Sequence, residues 1–261
     1  MQHKIVQMKD QGHRNRNIYV FAVFLIVGGI GQNGNEQLGT EVIDVSSSNM
    51  SDISFGNIPE GRFTTVGGLL DFSPIYCGGY TDLSCFTYQH WIPQWTKTHT
   101  LTIPRGGSAS VQVNSTTLWF IGGYDYSDTT EFIRIDSSVG IPGPKLPIPL
   151  IHTCAVKFAK DQIFVIGGVD YCKSSESCWN RVFFFNPLNG FTHIEGPSLK
   201  IGRRSHSCGL MSNGQDTKIV VAGGFVPDPP YAPKLSDVEI FDPYIKDWIT
   251  GNKCVVSKIY G

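Results

Sequence analysis

Leu118-Trp119-Phe120-Ile121-Gly122-Gly123 is an apolar run closed by two glycines, and its reading decides the fold because the pattern stands at four other places. Upstream are Phe24-Leu25-Ile26-Val27-Gly28-Gly29 and Pro74-Ile75-Tyr76-Cys77-Gly78-Gly79. Downstream are Ile163-Phe164-Val165-Ile166-Gly167-Gly168 and Ile219-Val220-Val221-Ala222-Gly223-Gly224, so the copies lie 44 to 56 residues apart. A short continuous apolar run reads as a strand buried on both faces. Glycine after it lets the backbone turn, or approach a neighbour, where a side chain would collide.

Each glycine pair is followed, after a polar loop of variable length, by a second short strand pattern: Glu41 to Val45, Cys85 to Tyr88, Glu131 to Asp136, Val182 to Asn186 and Val238 to Asp242. A turn and a third strand come next, with Trp91 or Trp95 in the second repeat, Phe191 in the fourth and Trp248 in the fifth. Upstream of four pairs lies one more strand, opened by Arg62-Phe63-Thr64-Thr65, Arg105-Gly106-Gly107-Ser108, Ile151-His152-Thr153-Cys154 and Arg203-Arg204-Ser205-His206. Each period thus holds about four strands and no amphipathic helix of ordinary length. Self-similarity at this period implies a radial repeat of four-stranded sheets, because one such sheet cannot bury its own faces.

Over roughly residues 20 to 251 these features resemble the kelch repeat: an apolar strand plus Gly-Gly, an acidic-ended strand, then an outer aromatic. The resemblance implies an all-β fold, a β-propeller of four-stranded antiparallel blades with five visible repeats, either closed with five blades or an incomplete six-bladed ring. Residues 1–17 are expected to be a flexible extension, residues 18–261 the propeller, and Cys254 to Tyr260 a strand that could close the ring. The sequence departs from the pattern in two places. The first repeat lacks an obvious upstream strand, and Pro142-Gly143-Pro144 stands where the third should carry an aromatic. The apolar run Ile18 to Val27 behind Arg14 and Arg16 has the layout of a secretory signal but is too short to span a bilayer, and at least its second half reads as the first repeat strand.

Charged residues are 16% of the chain and the formal net charge is −1, which leaves no general field for phosphate backbones. Nucleic acid is therefore not expected as a partner, and neither is a stable membrane span. Seven cysteines, several closely paired, suggest disulfides formed in an oxidising compartment, with one thiol left over. Cys77 and Cys85 could face each other across a hairpin, Cys172 and Cys178 could staple the loop between them, and Cys154 and Cys208 could bridge neighbouring inner strands. Asn49-Met50-Ser51 and Asn114-Ser115-Thr116 are glycosylation acceptor patterns that agree with secretion.

Other constellations read as structural. His152, Cys154, His206 and Cys208 are chemically suited to zinc, but close ligand pairs on a turn are missing. Gly29-Ile30-Gly31-Gln32-Asn33-Gly34 matches a dinucleotide fingerprint in letters, yet the segment after it is too short for the helix that would hold pyrophosphate. No hydrolase elbow or metalloprotease helix motif is present, so neither catalysis nor a cofactor is expected. Arg62, Arg105, Arg203 and Arg204 recur near inner strands, where they could contact a ligand or pair with strand-end acids such as Asp44, Asp136 and Asp242.

The glycine-pair loops, Tyr80 to Ser84, Tyr124 to Thr130, Asp170 to Asn180 and Phe225 to Ser236, should gather at one side of a radial repeat. They carry Tyr80, Tyr124, Tyr126, Tyr171, Trp179 and Tyr231, residue types that anchor interfaces, and the fourth holds the extended piece Val226 to Pro233. The functional expectation is a non-enzymatic protein-interaction scaffold, extracellular or luminal, whose partner is a protein of unknown identity. Two alternatives accompany it. One is the substrate-recognition module of an intracellular, cytoplasmic ubiquitin-ligase adaptor with free thiols. The other is a copper enzyme resembling galactose oxidase, with which the likeness is one of fold alone.

Overall fold

A computed structural model describes residues 6–8, 23–27, 35–44, 55–89, 91–125, 127–169, 179–212, 216–226 and 234–253. The regular secondary structure of these residues is almost wholly strand. A three-stranded sheet contains β1 (Val6–Met8), β2 (Val23–Val27) and β3 (Thr40–Asp44). Four four-stranded antiparallel sheets follow in chain order. The first holds β4 (Val66–Leu70), β5 (Ser73–Cys77), β6 (Ser84–Gln89) and β7 (Gln94–Thr100). The second holds β8 (Ala109–Asn114), β9 (Thr117–Ile121), β10 (Thr130–Arg134) and β11 (Ile141–Pro142). The third holds β12 (Cys154–Ala159), β13 (Gln162–Ile166), β14 (Val182–Asn186) and β15 (Thr192–Glu195). The fourth holds β16 (Ser207–Ser212), β17 (Thr217–Ala222), β18 (Val238–Asp242) and β19 (Asp247–Thr250). Each sheet meanders, every strand pairing with the next in sequence.

The chain divides into two compact units, residues 1–120 with 131–143, and residues 121–130 with 144–261. In the first unit the alternation of β5 feeds two cores. Tyr76 packs with Phe55, Ile58, Phe86, Tyr88 and Trp95, while Ile75 and Cys77 join Val66, Leu101, Leu118, Phe120 and Ile133. A strand whose two faces both meet apolar neighbours has no polar side, which is why its sequence is a continuous hydrophobic run. In the second unit Phe164 and Ile166 of β13 and Val182 of β14 pack with Ile219, Val221, Phe241 and Trp248 of the following sheet.

The register makes the repeats superimposable. The residue before each glycine pair faces the first or second residue of the next strand: Val27 faces Thr40, Cys77 faces Cys85, Ile166 faces Val182 and Ala222 faces Val238. The linker into each sheet places an aliphatic N–H on the preceding loop, from Ile58 to Leu38, Leu101 to Leu83, Leu146 to Asp128 and Leu199 to Asn180, all at 2.7 or 2.8 Å. The first glycine of a pair is needed where the backbone doubles back. Gly122 has φ of 63°, and a Cβ there would lie 2.2 Å from the Leu150 carbonyl oxygen.

The structure refines several expectations. Val6–Met8, inside the segment read as an extension, pairs with β2 and supplies an upstream strand to the first sheet. The outer strand of the β8–β11 sheet is the two-residue Ile141–Pro142. Trp95 and Trp248 hold equivalent outer positions, opposite Tyr88 and Phe241, but in the third four-stranded sheet that place belongs to His193 opposite Phe185. Phe191 sits in the turn before β15, and Trp91 is exposed in the turn before β7. Glycines 28 and 29, the fingerprint-like segment 29–34 and residues 254–260 lie outside the described residues.

Candidate functional site

Three of the four recurrent arginines form a buried internal frame. Arg62, Arg105 and Arg203 are at most 3% exposed. Nη1 of Arg203 donates to the carbonyls of Gly223 and Asp237, and Nη1 of Arg62 donates to the equivalent carbonyls of Gly78 and Ser84. Arg203 Nη2 lies 2.7 Å from Glu239, and Arg105 Nε lies 3.1 Å from Glu131. Burial lowers the Arg105 pKa while Glu131 opposes the shift. The same glutamates accept backbone N–H groups, Glu131 from Thr102 and Glu239 from Lys200 and Ile201. No lone pair of a carboxylate so deeply placed can be left idle cheaply, and these are used.

Substitutions within the frame are coordinated. Where the glutamate is replaced, by Phe86 and Phe183, the residue equivalent to Thr102 and Lys200 is Pro59 or Pro147, which has no N–H to satisfy. Arg62 then lies over the Phe86 ring at 5.3 Å and takes Glu60 and Asp82 as acidic partners. In the sheet with Phe183 the arginine is itself replaced, by the buried Leu150. The expected acid partners are thus corrected. Glu131 and Glu239, early in β10 and β18, hold the buried arginines, while Asp136 and Asp242 pair with Arg134 and Lys218 at the surface.

Arg204 belongs to a different group. It follows the frame arginine in a position filled elsewhere by Phe63, Gly106 and Ile151, and it pairs through its backbone with Phe225, the residue after the glycine pair. Its guanidinium carbon lies 5.4 Å from the Trp179 ring centre and 6.0 Å from that of Phe225. Arg204 Nε and Trp179 Nε1 are both buried without a hydrogen-bond partner. His152 is held down to about 4 by burial and then by the Arg204 charge, so it is neutral at ordinary pH. In the first unit the corresponding pair is Phe63 stacked on Tyr80, with ring centres 6.1 Å apart and Tyr80 53% exposed.

The cysteines and histidines settle in a register the sequence hid. Cys77 and Cys85 are joined between facing residues of β5 and β6. Cys154 and Cys208 are joined with Cα atoms 6.1 Å apart, but they are not equivalent: Cys154 faces Ile166, and its counterpart in the next sheet is Ser207 opposite Ala222. The similarity of His-Thr-Cys and His-Ser-Cys is therefore offset by one residue. His152 shares its left-handed backbone with Thr64 and Ser205, whereas His206 corresponds to Thr153. With both sulfurs in a disulfide, the zinc set loses its thiolates. Among the described residues no three His, Cys, Asp or Glu side chains gather as a metal site.

No protein-family model matches this sequence, and no curated protein matches it. The geometry alone ranks the loop-end residues. Tyr80 is exposed, Tyr124 is half-buried, and Trp179 is buried beneath Arg204 rather than facing solvent. Tyr126, Tyr171, Tyr231, Cys172 and Cys178 lie outside the described residues. In the sequence Arg203-Arg204 reads as one feature, open to ligand contact or to pairing with an acid. The signal that separates them is register, since the residue two before the left-handed position is Arg62, Arg105, Leu150 or Arg203.

Proposed function

We propose that the chain is a kelch-type β-propeller that works as a non-enzymatic protein-interaction scaffold outside the cell or in the secretory lumen. The observation that carries the reading is the contrast between frame and loop end. Linker aliphatics, buried arginines and glycine pairs recur in register, whereas the loop-end pairs diverge from Phe63 with Tyr80, through Ile151 with Val169, to Arg204 with Phe225. A repeat that conserves its interior and varies one end presents different chemistry on a common support. The reading needs a ring of blades, whether five sheets close on themselves or a sixth completes them. Among the described residues no helix is long and apolar enough to cross a membrane.

Two disulfides agree with an oxidising compartment. Asn114 supports passage through it. It is exposed at the end of β8, and its Oδ1 accepts hydrogen bonds from both N and Oγ1 of Thr116 at 3.0 Å. The exposed side chain, with Oδ1 rather than Nδ2 engaged by Thr116, is available to an N-linked glycan. Asn49 lies outside the described residues.

The test is expression through a secretory pathway, followed by intact mass with and without thiol alkylation and glycan release, and by photo-crosslinking in the native extracellular milieu. Crosslinkers at Tyr124 and Phe225 should capture the same partner, while one at Ile194 on the outer strand β15 should not. Seven alkylatable thiols in the natively isolated protein would favour the intracellular adaptor. Equal capture from Ile194 and the loop-end positions would refute the binding face.

A further inference from the structure

Arg204 is the only charged member of the recurrent loop-end position, the others being Phe63, Gly106 and Ile151. Its environment differs from that of the other described arginines in the second unit. Arg203 is neutralised by Glu239, and Arg181 is gripped by both oxygens of Glu195, but no described carboxylate lies within ion-pair distance of Arg204. Its guanidinium carbon lies within cation–π distance of the Trp179 and Phe225 rings, and Nε is sealed from solvent without an acceptor. The side chain as a whole is only half-buried.

A guanidinium held beside two rings, with no described carboxylate along its edge, is poised for an anion, because the rings restrict the fork before the anion arrives. The indole N–H of Trp179, the ring beside Arg204 and in a residue 7% exposed, is a second donor with nothing to bond. His152 contributes no charge. The cluster therefore holds one positive charge, N–H donors and apolar walls, and this matches a planar monoanion that accepts two parallel hydrogen bonds.

Resting on the scaffold reading, we propose that Arg204, Trp179 and Phe225 form a receptor for a carboxylate of the protein partner, taken by the Nη edge while the two rings exclude water. The carboxylate is either an Asp or Glu side chain or a free chain terminus, and the two sources share this chemistry.

The experiment uses the full chain and peptide pools free of other acidic residues, labelled with a carboxylate-free fluorophore and read by polarisation. One pool has Glu fixed at its centre with an amidated end, a matched pool has Gln there, and a third has Gln with a free C-terminal carboxylate. Either carboxylate pool should bind, and the pool lacking any carboxylate should bind at least about tenfold more weakly. Preference for the first or the third pool identifies the source. R204Q should abolish the discrimination, R204K should recover only part of it because an ammonium cannot form the fork, and R134Q, at an exposed surface pair, should change nothing. In a ¹⁵N spectrum the Trp179 indole signal, assigned with W179F, should move with the Glu pool and stay still with the Gln pool. Equal binding by wild type and R204Q, or no binding of either carboxylate pool, would overturn the proposal. Loop-end crosslinks that persist in R204Q would then show that the scaffold reading survives without this receptor.

Discussion

Replacing His206 with threonine should make the protein less sensitive to mild acid. The His206 ring is buried, it makes no hydrogen bond of good geometry, and it is held down to about 3 from its ordinary 6.5 by burial and then by the Arg203 charge. The folded state therefore binds fewer protons than the unfolded state between these values. The stability is fully present above 6.5 and is lost as pH falls toward 3. At pH 5 the unfolded imidazole is almost fully protonated while the folded one is not, which costs about 2 kcal/mol relative to pH 7. Thr153, in the equivalent position one sheet earlier, donates from Oγ1 to the Ile166 carbonyl at 2.9 Å, so a threonine at 206 has the Ala222 carbonyl as its counterpart acceptor. H206T leaves a small cavity against Gly167, but that cost is the same at both pH values. Urea denaturation at pH 7 and pH 5 measures the effect. The midpoint drop on acidification should be smaller in H206T by roughly 0.7 M if the slope is about 3 kcal/mol/M. Equal midpoint drops in the two proteins would refute the assignment of acid lability to this buried imidazole.

E131Q should destabilise by about 3–5 kcal/mol in the same assay, because it strands the buried Arg105 charge. The triple change T102P, R105L and E131F copies Pro147, Leu150 and Phe183 of the next sheet and should be more stable than E131Q, since no orphan charge or N–H remains. Removing the Cys154–Cys208 link, which spans 54 residues, should cost about 4 kcal/mol, against about 2.5 for the Cys77–Cys85 link across 8; paired alanine substitutions and thermal melts compare them. G122A should lower stability by about 2–4 kcal/mol, because its Cβ meets the Leu150 carbonyl at a left-handed φ; no loss on calorimetry would show that the pair can relax.

The strands were legible in the sequence because both of their faces are buried, so hydrophobicity alone marks them. Val182–Asn186 and Val238–Asp242 stand where the patterns put them, and both described disulfides join cysteines that had been paired. What stayed hidden depended on register. His-Thr-Cys and His-Ser-Cys look alike as strings, yet a one-residue offset puts His152 in a turn and His206 in a buried place beside Arg203. The Arg105–Glu131 pair was illegible for a similar reason, since its members are separated by a whole loop and only the alternation of Glu with Phe, matched to Thr or Lys with Pro, betrays the contact. The strand Val6–Met8 carries too short a pattern to be told from a tail.

Why buried ion pairs persist in this chain follows from what else the arginines hold. The sheet with Leu150 and Phe183 folds its glycine pair without a charge, so the pairs are not a requirement of the strand arrangement itself. Arg62 and Arg203, however, each tie together the two ends of a glycine-pair loop, Gly78 to Ser84 in one sheet and Gly223 to Asp237 in the other. These loops differ in length, yet their ends are fixed by one guanidinium at the same spacing. Clamping the ends separates the loop from the sheet energetically, because a change of length or sequence between the clamped carbonyls does not propagate into the strands. An interior charge that costs desolvation energy thus secures a boundary, and beyond that boundary residues such as Tyr80 and Phe225 are free to differ. The arrangement predicts where tolerance ends: a paired R203M/E239Q variant, which leaves no buried carboxylate without its cation, should loosen the Gly223–Asp237 loop first, seen as faster amide exchange at Gly223 and Gly224 than in β17, whereas uniform acceleration across β16–β19 would mean that the arginine supports the sheet rather than the loop.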